Sequence, residues 1–333
     1  MREAVEAGVI LASPRWLWPL SFWALNAGIV GLNGQSLPRN CSARQESDTD
    51  QHGFDGYTQI HPEKSARIRP IRGNPRPISS PLGSSLSSYP PSIQCFLIIL
   101  GYETSPAAGD WNRNVLFGAD DLEGGGGNFY TLSDAIADGY ADPPTNTVKF
   151  LPAPYVPQEI CLGQTCPDEE PSVVCRQQIV NTINTTGALL VNFIGRSTKF
   201  YWARERLMDY GALVGLTNGD KLFISLPMTC LEGYFHEAQI GVHSFGEMNV
   251  RLAGGGAVAS WSPSGLGVAT GHDMLERGFF LALFHDGVQE LGPATNQAKL
   301  YLLPNSPPGR YRDIVDTYLV LGDPALRVRL AEP

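Results

Sequence analysis

Two short apolar runs of one design stand about thirty residues apart, and each delivers a side chain capable of chemistry. Ala188-Leu-Leu-Val-Asn-Phe-Ile-Gly195 leads into Arg196, and Lys221-Leu-Phe-Ile-Ser-Leu-Pro-Met-Thr229 leads into Cys230. Runs this short, without polar alternation, belong to strands buried on both faces, the condition of a parallel sheet. Ligands of such sheets collect outside the carboxyl ends of the strands. The pattern therefore places residues 196 and 230 at a rim where a substrate would lie.

The surrounding chain agrees with that reading. Strand-like runs fall at 114–119, 146–151, 189–194, 222–226, 257–261 and 317–320. Segments with helical spacing lie at 132–140, 172–183, 203–213, 244–252, 272–284 and 294–302. Strand alternating with helix implies an α/β fold, a mostly parallel sheet with helices on both faces. Gly219-Asp220 and the triplet Gly254-Gly-Gly256 supply turn chemistry ahead of two of the strands.

Residues 1–93 have a different texture. Positions 35–91 are rich in Ser, Pro, Arg and Gly and carry almost no periodic apolar pattern, so they cannot bury enough surface to offset chain entropy. They read as a low-complexity, largely disordered leader, followed by a folded domain over 94–333. The apolar stretch 16–32 is broken by Pro19 and Asn26 and is shorter than the roughly 20 residues of a spanning helix. It lacks the basic start and small-residue cleavage site of a clear signal peptide. No stable membrane span is expected. Lys and Arg number nine against seven Asp and Glu in residues 1–95, and fifteen against twenty-six thereafter. An acidic folded part argues against a nucleic-acid partner, because phosphate binding needs a basic face.

Cys161, Cys166 and Cys175 cluster without the paired spacing of a zinc site, which leaves a Cys166–Cys175 disulfide or free thiols. Asp120, Asp121 and Glu123 precede four glycines but lack the spacing of a calcium hand. They read as a solvated turn, with calcium the weaker alternative and no other cofactor implied. Cys230 taken alone reads as a small buried residue, as most free cysteines are.

Several further stretches bear on Cys230. They are Leu100-Gly-Tyr-Glu-Thr-Ser-Pro-Ala-Ala-Gly-Asp-Trp111, Val115-Leu-Phe-Gly-Ala-Asp-Asp121, Leu189-Leu-Val-Asn-Phe-Ile-Gly195 and Cys230-Leu-Glu-Gly-Tyr-Phe235. Ser244-Phe-Gly-Glu247, Gly254-Gly-Gly-Ala-Val-Ala-Ser-Trp261 and Leu321-Gly-Asp-Pro-Ala-Leu-Arg327 follow. In this order and spacing, residues 98–330 resemble the gingipain-like cysteine peptidases, a bacterial group with a caspase-like α/β/α sandwich. The resemblance implies peptide or protein substrates and a secreted or cell-surface location. It also implies that strands preceding the helix around Gly101 are missing from the sheet.

In that family the first run ends in His-Gly, whose histidine is the base, and the second ends in the nucleophilic cysteine. Cys230 matches the nucleophile. Arg196 stands at the histidine's position, with Gly195 and Ser197 in the oxyanion region. A guanidinium could favour the thiolate. Arginine stays protonated, with a pKa above roughly 12, so it cannot deliver or accept the protons of amide hydrolysis. The resemblance thus implies an impaired peptidase, or a noncatalytic peptide-binding or structural module of an exported protein. His236, His243, His272 and His285 read as surface or helix-end residues rather than replacement bases.

Overall fold

A computed structural model describes residues 91–331 apart from 123–126, 143–145, 167–170, 238 and 240. The leader, Cys41, His52, His61, Glu123 and the glycines at 124–126 lie outside the described residues. Six strands form the main sheet: β1 (Asn114–Ala119), β4 (Val156–Cys161), β5 (Leu190–Ile194), β6 (Phe223–Met228), β7 (Ala257–Pro263) and β8 (Tyr318–Leu321). Their order is β4-β1-β5-β6-β7-β8, all parallel except the final β7–β8 pair.

The unbroken apolar runs are shared between two cores. Leu190 and Ile194 of β5 face one layer and Val191 and Phe193 the other. The first layer takes α1 (Pro91–Thr104), α2 (Phe129–Ala137), α6 (Ala269–Phe280) and α7 (Leu291–Asn305). The second takes α3 (Pro171–Asn181), α4 (Tyr210–Val214) and α5 (Phe245–Arg251). Period-two side-chain alternation, with both faces covered, gives the α/β/α sandwich. The helix expected around Gly101 is α1.

Three local expectations are corrected. The run at 146–151 does not join the main sheet: β3 (Asn146–Val148) pairs antiparallel with β2 (Tyr140–Asp142). Main-sheet strand β4 escapes sequence reasoning because Val156-Pro-Gln-Glu-Ile-Cys161 is half polar and contains proline. It is an edge strand, paired on one side with β1, where proline and polar residues are tolerated. Most of the helix expected at 203–213 is turn. Ala203 and Arg206 have φ of 54° and 58°, Trp202 bridges to Met208, and α4 begins only after its Asp209 cap. The remaining alternative in the cysteine loop is resolved, since Cys166 and Cys175 form a disulfide with Cα atoms 5.7 Å apart.

Helix α6 packs closely on α7 through Gly278. A methyl group there would lie 2.8 Å from Ala298 Cα and from Tyr301 Cβ. Alanine gains about 0.8–1 kcal/mol over glycine in helix propensity, whereas overpacking costs about 1–3 kcal/mol. Gly278→Ala is therefore expected to lower the urea midpoint. A raised midpoint would show that the two helices separate without loss.

Candidate active site

Strands β1, β5 and β6 lie side by side and end at one level, because Ala119 pairs with Ile194 and Ile194 with Met228. The ladder runs one step further: Asp120 N–H donates to Ile194 O, and Gly195 N–H to Met228 O. Asp120, Arg196 and Cys230 therefore follow three adjacent strand tips. Gly195 is required by the close approach, since a Cβ there would sit 2.5 Å from Asp120 Cβ. Its own N–H is spent on Met228, so Gly195 is not the oxyanion donor that the sequence allowed.

Arg196 is committed to carboxylates. Its backbone N–H and Nε donate to Asp120 Oδ2 at 3.0 and 2.7 Å, and its Nη2 to Asp120 Oδ1 and Asp121 Oδ1 at 3.1 and 2.6 Å. Asp120's side chain has no solvent exposure and Arg196's has 31%. The hydrogen bonds it donates to Asp120 and Asp121, with the charges of both, hold the guanidinium more firmly protonated than usual. Glu205 brings a third carboxylate within 4.8 Å of these two. The cation that Asp120 and Asp121 face is the guanidinium.

Cys230 is half-buried. Its Sγ accepts from Gly267 N–H at 3.4 Å and donates to Gly267 O at 3.6 Å. Burial pushes the thiol above its ordinary range, and the Gly267 N–H opposes the shift. Arg196 is not among the groups that shift the thiol, and its charge is matched by two carboxylates. After Cys230 the chain turns sharply, with Leu231 at φ 59° and its N–H donating to Gly265 O. A branched side chain in the left-handed region is strained, and such residues cluster at functional turns.

Ser197 ties the two tips together, since its hydroxyl donates to the Cys230 carbonyl. Among the described residues, the backbone N–H groups of Ser197 and Cys230 have no hydrogen-bond acceptor. Two unengaged donors thus stand at neighbouring strand ends. Helix α5 braces both loops: Phe245 N–H donates to Lys199 O and Gly246 N–H to Glu232 O. A capping box between Ser244 and Glu247 fixes that helix end.

The histidines divide clearly. His236 packs at a tilt on Tyr234 with centroids 3.8 Å apart, His243 sits between Glu247 and Arg251, and His285 Nε2 meets Lys149 O at 2.7 Å. His272 instead is buried, lies against Gly267, and is pushed down to about 4 by burial. Sequence reasoning missed Gly267, which lies 37 positions from Cys230 in a loop without a motif. It also missed Glu232, buried completely, whose Oε2 accepts from Trp202 Nε1 while Oε1 has no partner.

A family model described as peptidase family C25 matches residues 97–329. Among solved structures, the complex of Porphyromonas gingivalis RgpB pro- and mature domains is similar with TM-score 0.58 and 18% identity, covering 72% of this chain and 55% of that one. A crystal structure of the Arg-specific cysteine proteinase gingipain R gives TM-score 0.58 and 18% identity, over 72% of this chain and 54% of that one. A third, a structure of a protease, gives 0.54 and 18%, over 74% and 55%. At such identity the likeness concerns the fold. The chain spans about half the length of these structures. No match is found among curated proteins.

Glu232 generates a pH test. Burial raises its carboxyl from 4.5 to about 8. The folded protein then keeps a proton that the unfolded chain releases above about pH 4.5, so this group makes stability fall as pH rises from about 4.5 to about 8, and no further beyond. Glu232→Gln keeps an acceptor for Trp202 and cannot ionise. Urea unfolding of this variant should show a shallower decline across that window and greater stability than the original at pH 8. Parallel curves would mean that Glu232 is not held neutral.

Proposed function

The chain belongs to peptidase family C25, and on that footing we propose that it is a cysteine peptidase domain using Cys230 as nucleophile, slowed by the loss of imidazole at position 196. The observation that carries this reading is the pairing of tips, where Cys230 and Ser197 are joined by a hydrogen bond and each presents an unengaged N–H. Attack of the thiolate on a peptide carbonyl puts negative charge on the carbonyl oxygen. Preorganised N–H donors at that point stabilise it. The family implies peptide or protein substrates. Among the described residues no helix is long and apolar enough to cross a membrane, and the Cys166–Cys175 disulfide supports an exported location.

The missing element is proton traffic. The thiol must lose a proton, the departing amine must gain one, and the deacylating water must lose one. Arg196, locked to Asp120 and Asp121, exchanges none of them. General acid and base catalysis contributes about 10²- to 10⁴-fold, which sets the scale of the deficit. The raised thiol and the neutralised Arg196 favour one second reading, a noncatalytic module that binds peptides in the same cleft.

A fluorogenic peptide library applied to the full chain, to Cys230→Ala and to Arg196→His with Ser197→Gly separates the two. Asp120 would remain to orient the introduced imidazole. Slow turnover abolished by Cys230→Ala and raised at least about tenfold by the double substitution is the expected result. Turnover that survives Cys230→Ala would remove Cys230 from the chemistry. Peptide binding without turnover in every form would establish the binding module.

A further inference from the structure

One residue, Gly267, touches both the sulfur and a buried imidazole. Its N–H and C=O engage Cys230 Sγ at 3.4 and 3.6 Å. A methyl group on its Cα would lie 2.2 Å from His272 Nε2, so the imidazole nitrogen faces the same short piece of main chain. His272 is 2% exposed, and its Nε2 has no hydrogen-bond partner. Leaving a buried polar atom unpaired is unfavourable, so its position calls for an explanation. The ring is held there by the helix and its packing: His272 N–H donates to Val268 O in the first turn of α6, and the ring packs on Tyr318 with centroids 5.7 Å apart. The Tyr318 hydroxyl in turn accepts from Thr229 N–H at 3.1 Å, immediately before Cys230. Helix α6 and strand β8 therefore fix imidazole and nucleophile relative to each other.

The segment between them is weakly held. Sulfur is a poor hydrogen-bond donor and acceptor. Leu266 and Val268, on either side of Gly267, are 66% and 51% exposed, so packing adds little. The flanking main chain is anchored, by Ser264 N–H to Thr317 O and Leu231 N–H to Gly265 O on one side and by α6 on the other. The stretch left between these anchors is 266–267.

We propose that His272 is the proton acceptor for Cys230 and that Gly267 is the shutter between them. The inference rests on Cys230 being the nucleophile. With the shutter displaced, the S–H bond breaks, its proton passes to Nε2, and thiolate and imidazolium remain. The thiolate adds to the peptide carbonyl carbon. As the C–N bond breaks, the imidazolium gives its proton to the departing amine. Nε2 then accepts a proton from the water that attacks the thioester, and that proton returns to sulfur when the C–S bond breaks. Asp273, Glu276 and Arg277 share the helix with His272, Tyr318 from β8 packs on its ring, and Cys230, Glu232 and Glu276 act electrostatically on that tyrosine. Asp273 is paired with Arg277 at 2.9 Å. Burial keeps the resting imidazole neutral and weakly basic, and displacement of Gly267, by admitting water or substrate, is what restores its basicity.

The test is the rate of Cys230 alkylation by iodoacetamide in the full chain, followed by mass spectrometry of the Cys230 peptide from about pH 5 to 10. The expected profile has a limb below the thiol's own titration. His272→Gln should abolish it and lower the rate at neutral pH about tenfold or more. Gly267→Ala, whose methyl must drive ring and main chain apart, approaches the same contact from the other side and should also displace the limb. Profiles superimposable across all three proteins overturn the assignment. Peptide cleavage with and without Cys230→Ala reads the nucleophile separately. A His272-dependent profile in a protein that cleaves nothing upholds the pair and overturns the peptidase reading. A His272-independent profile in a cleaving protein overturns the pair alone.

Discussion

A carboxylate without solvent exposure needs a cation, and at Asp120 that need organises the rim of the sheet. Asp120 follows β1 and Arg196 follows β5, so their three hydrogen bonds cross-link adjacent strand tips at the level of Cys230. Removing one partner of a buried pair costs about 3–5 kcal/mol, and the partial exposure of Arg196 moves this case toward the lower end. The pair thus explains why position 196 is not free to drift, and why Gly195 tolerates no side chain against Asp120. It also has a chemical consequence. A cation so fully matched by Asp120 and Asp121 has little field left for a neighbouring thiol, which burial shifts upward.

Behind the rim, buried polar groups follow the opposite rule. Glu232 and Glu276 are buried completely and pushed upward by burial, and His272 is pushed downward, so all three tend to the neutral form. The end of β6 therefore sits among buried groups kept uncharged, while the compensated charges lie at the rim. Charge separation between Cys230 and any buried partner is unfavourable until water or substrate enters. Reactivity at this site must then be linked to local opening.

The sequence exposed the parts of this arrangement that depend on a strand being buried from both sides. Val115, Leu116 and Phe117, or Phe223 and Ile224, are apolar at successive steps because each face has its own helical layer. Their ends fixed the places of Arg196 and Cys230. Strand β4 was hidden by the polar, proline-bearing composition that an edge permits. The segment at 203–213 misled for the reverse reason: Ala203, Leu207, Met208, Ala212 and Leu213 are all buried, yet turns rather than a helix carry the first three. Burial produced a helical-looking pattern without a helix. The contacts of Gly267 and the hydroxyl of Ser197 were invisible because each depends on loops brought together from more than thirty positions apart.

On the proposed reading, position 196 is where the family carries its histidine. An imidazole after β5 would face Cys230 across the β5–β6 pair, at a tip where Asp120 already offers an acceptor. Here the guanidinium takes that carboxylate, and the neutral imidazole lies on the other side of Cys230, under the turn that leads from β7 into α6. The sheet presents the nucleophile to both sides equally, since β6 has parallel neighbours on each. A proton acceptor beside β7 is thus geometrically as natural as one beside β5. What differs is that the β7 side is closed by main chain: access to the base becomes a property of a two-residue segment rather than of the open rim.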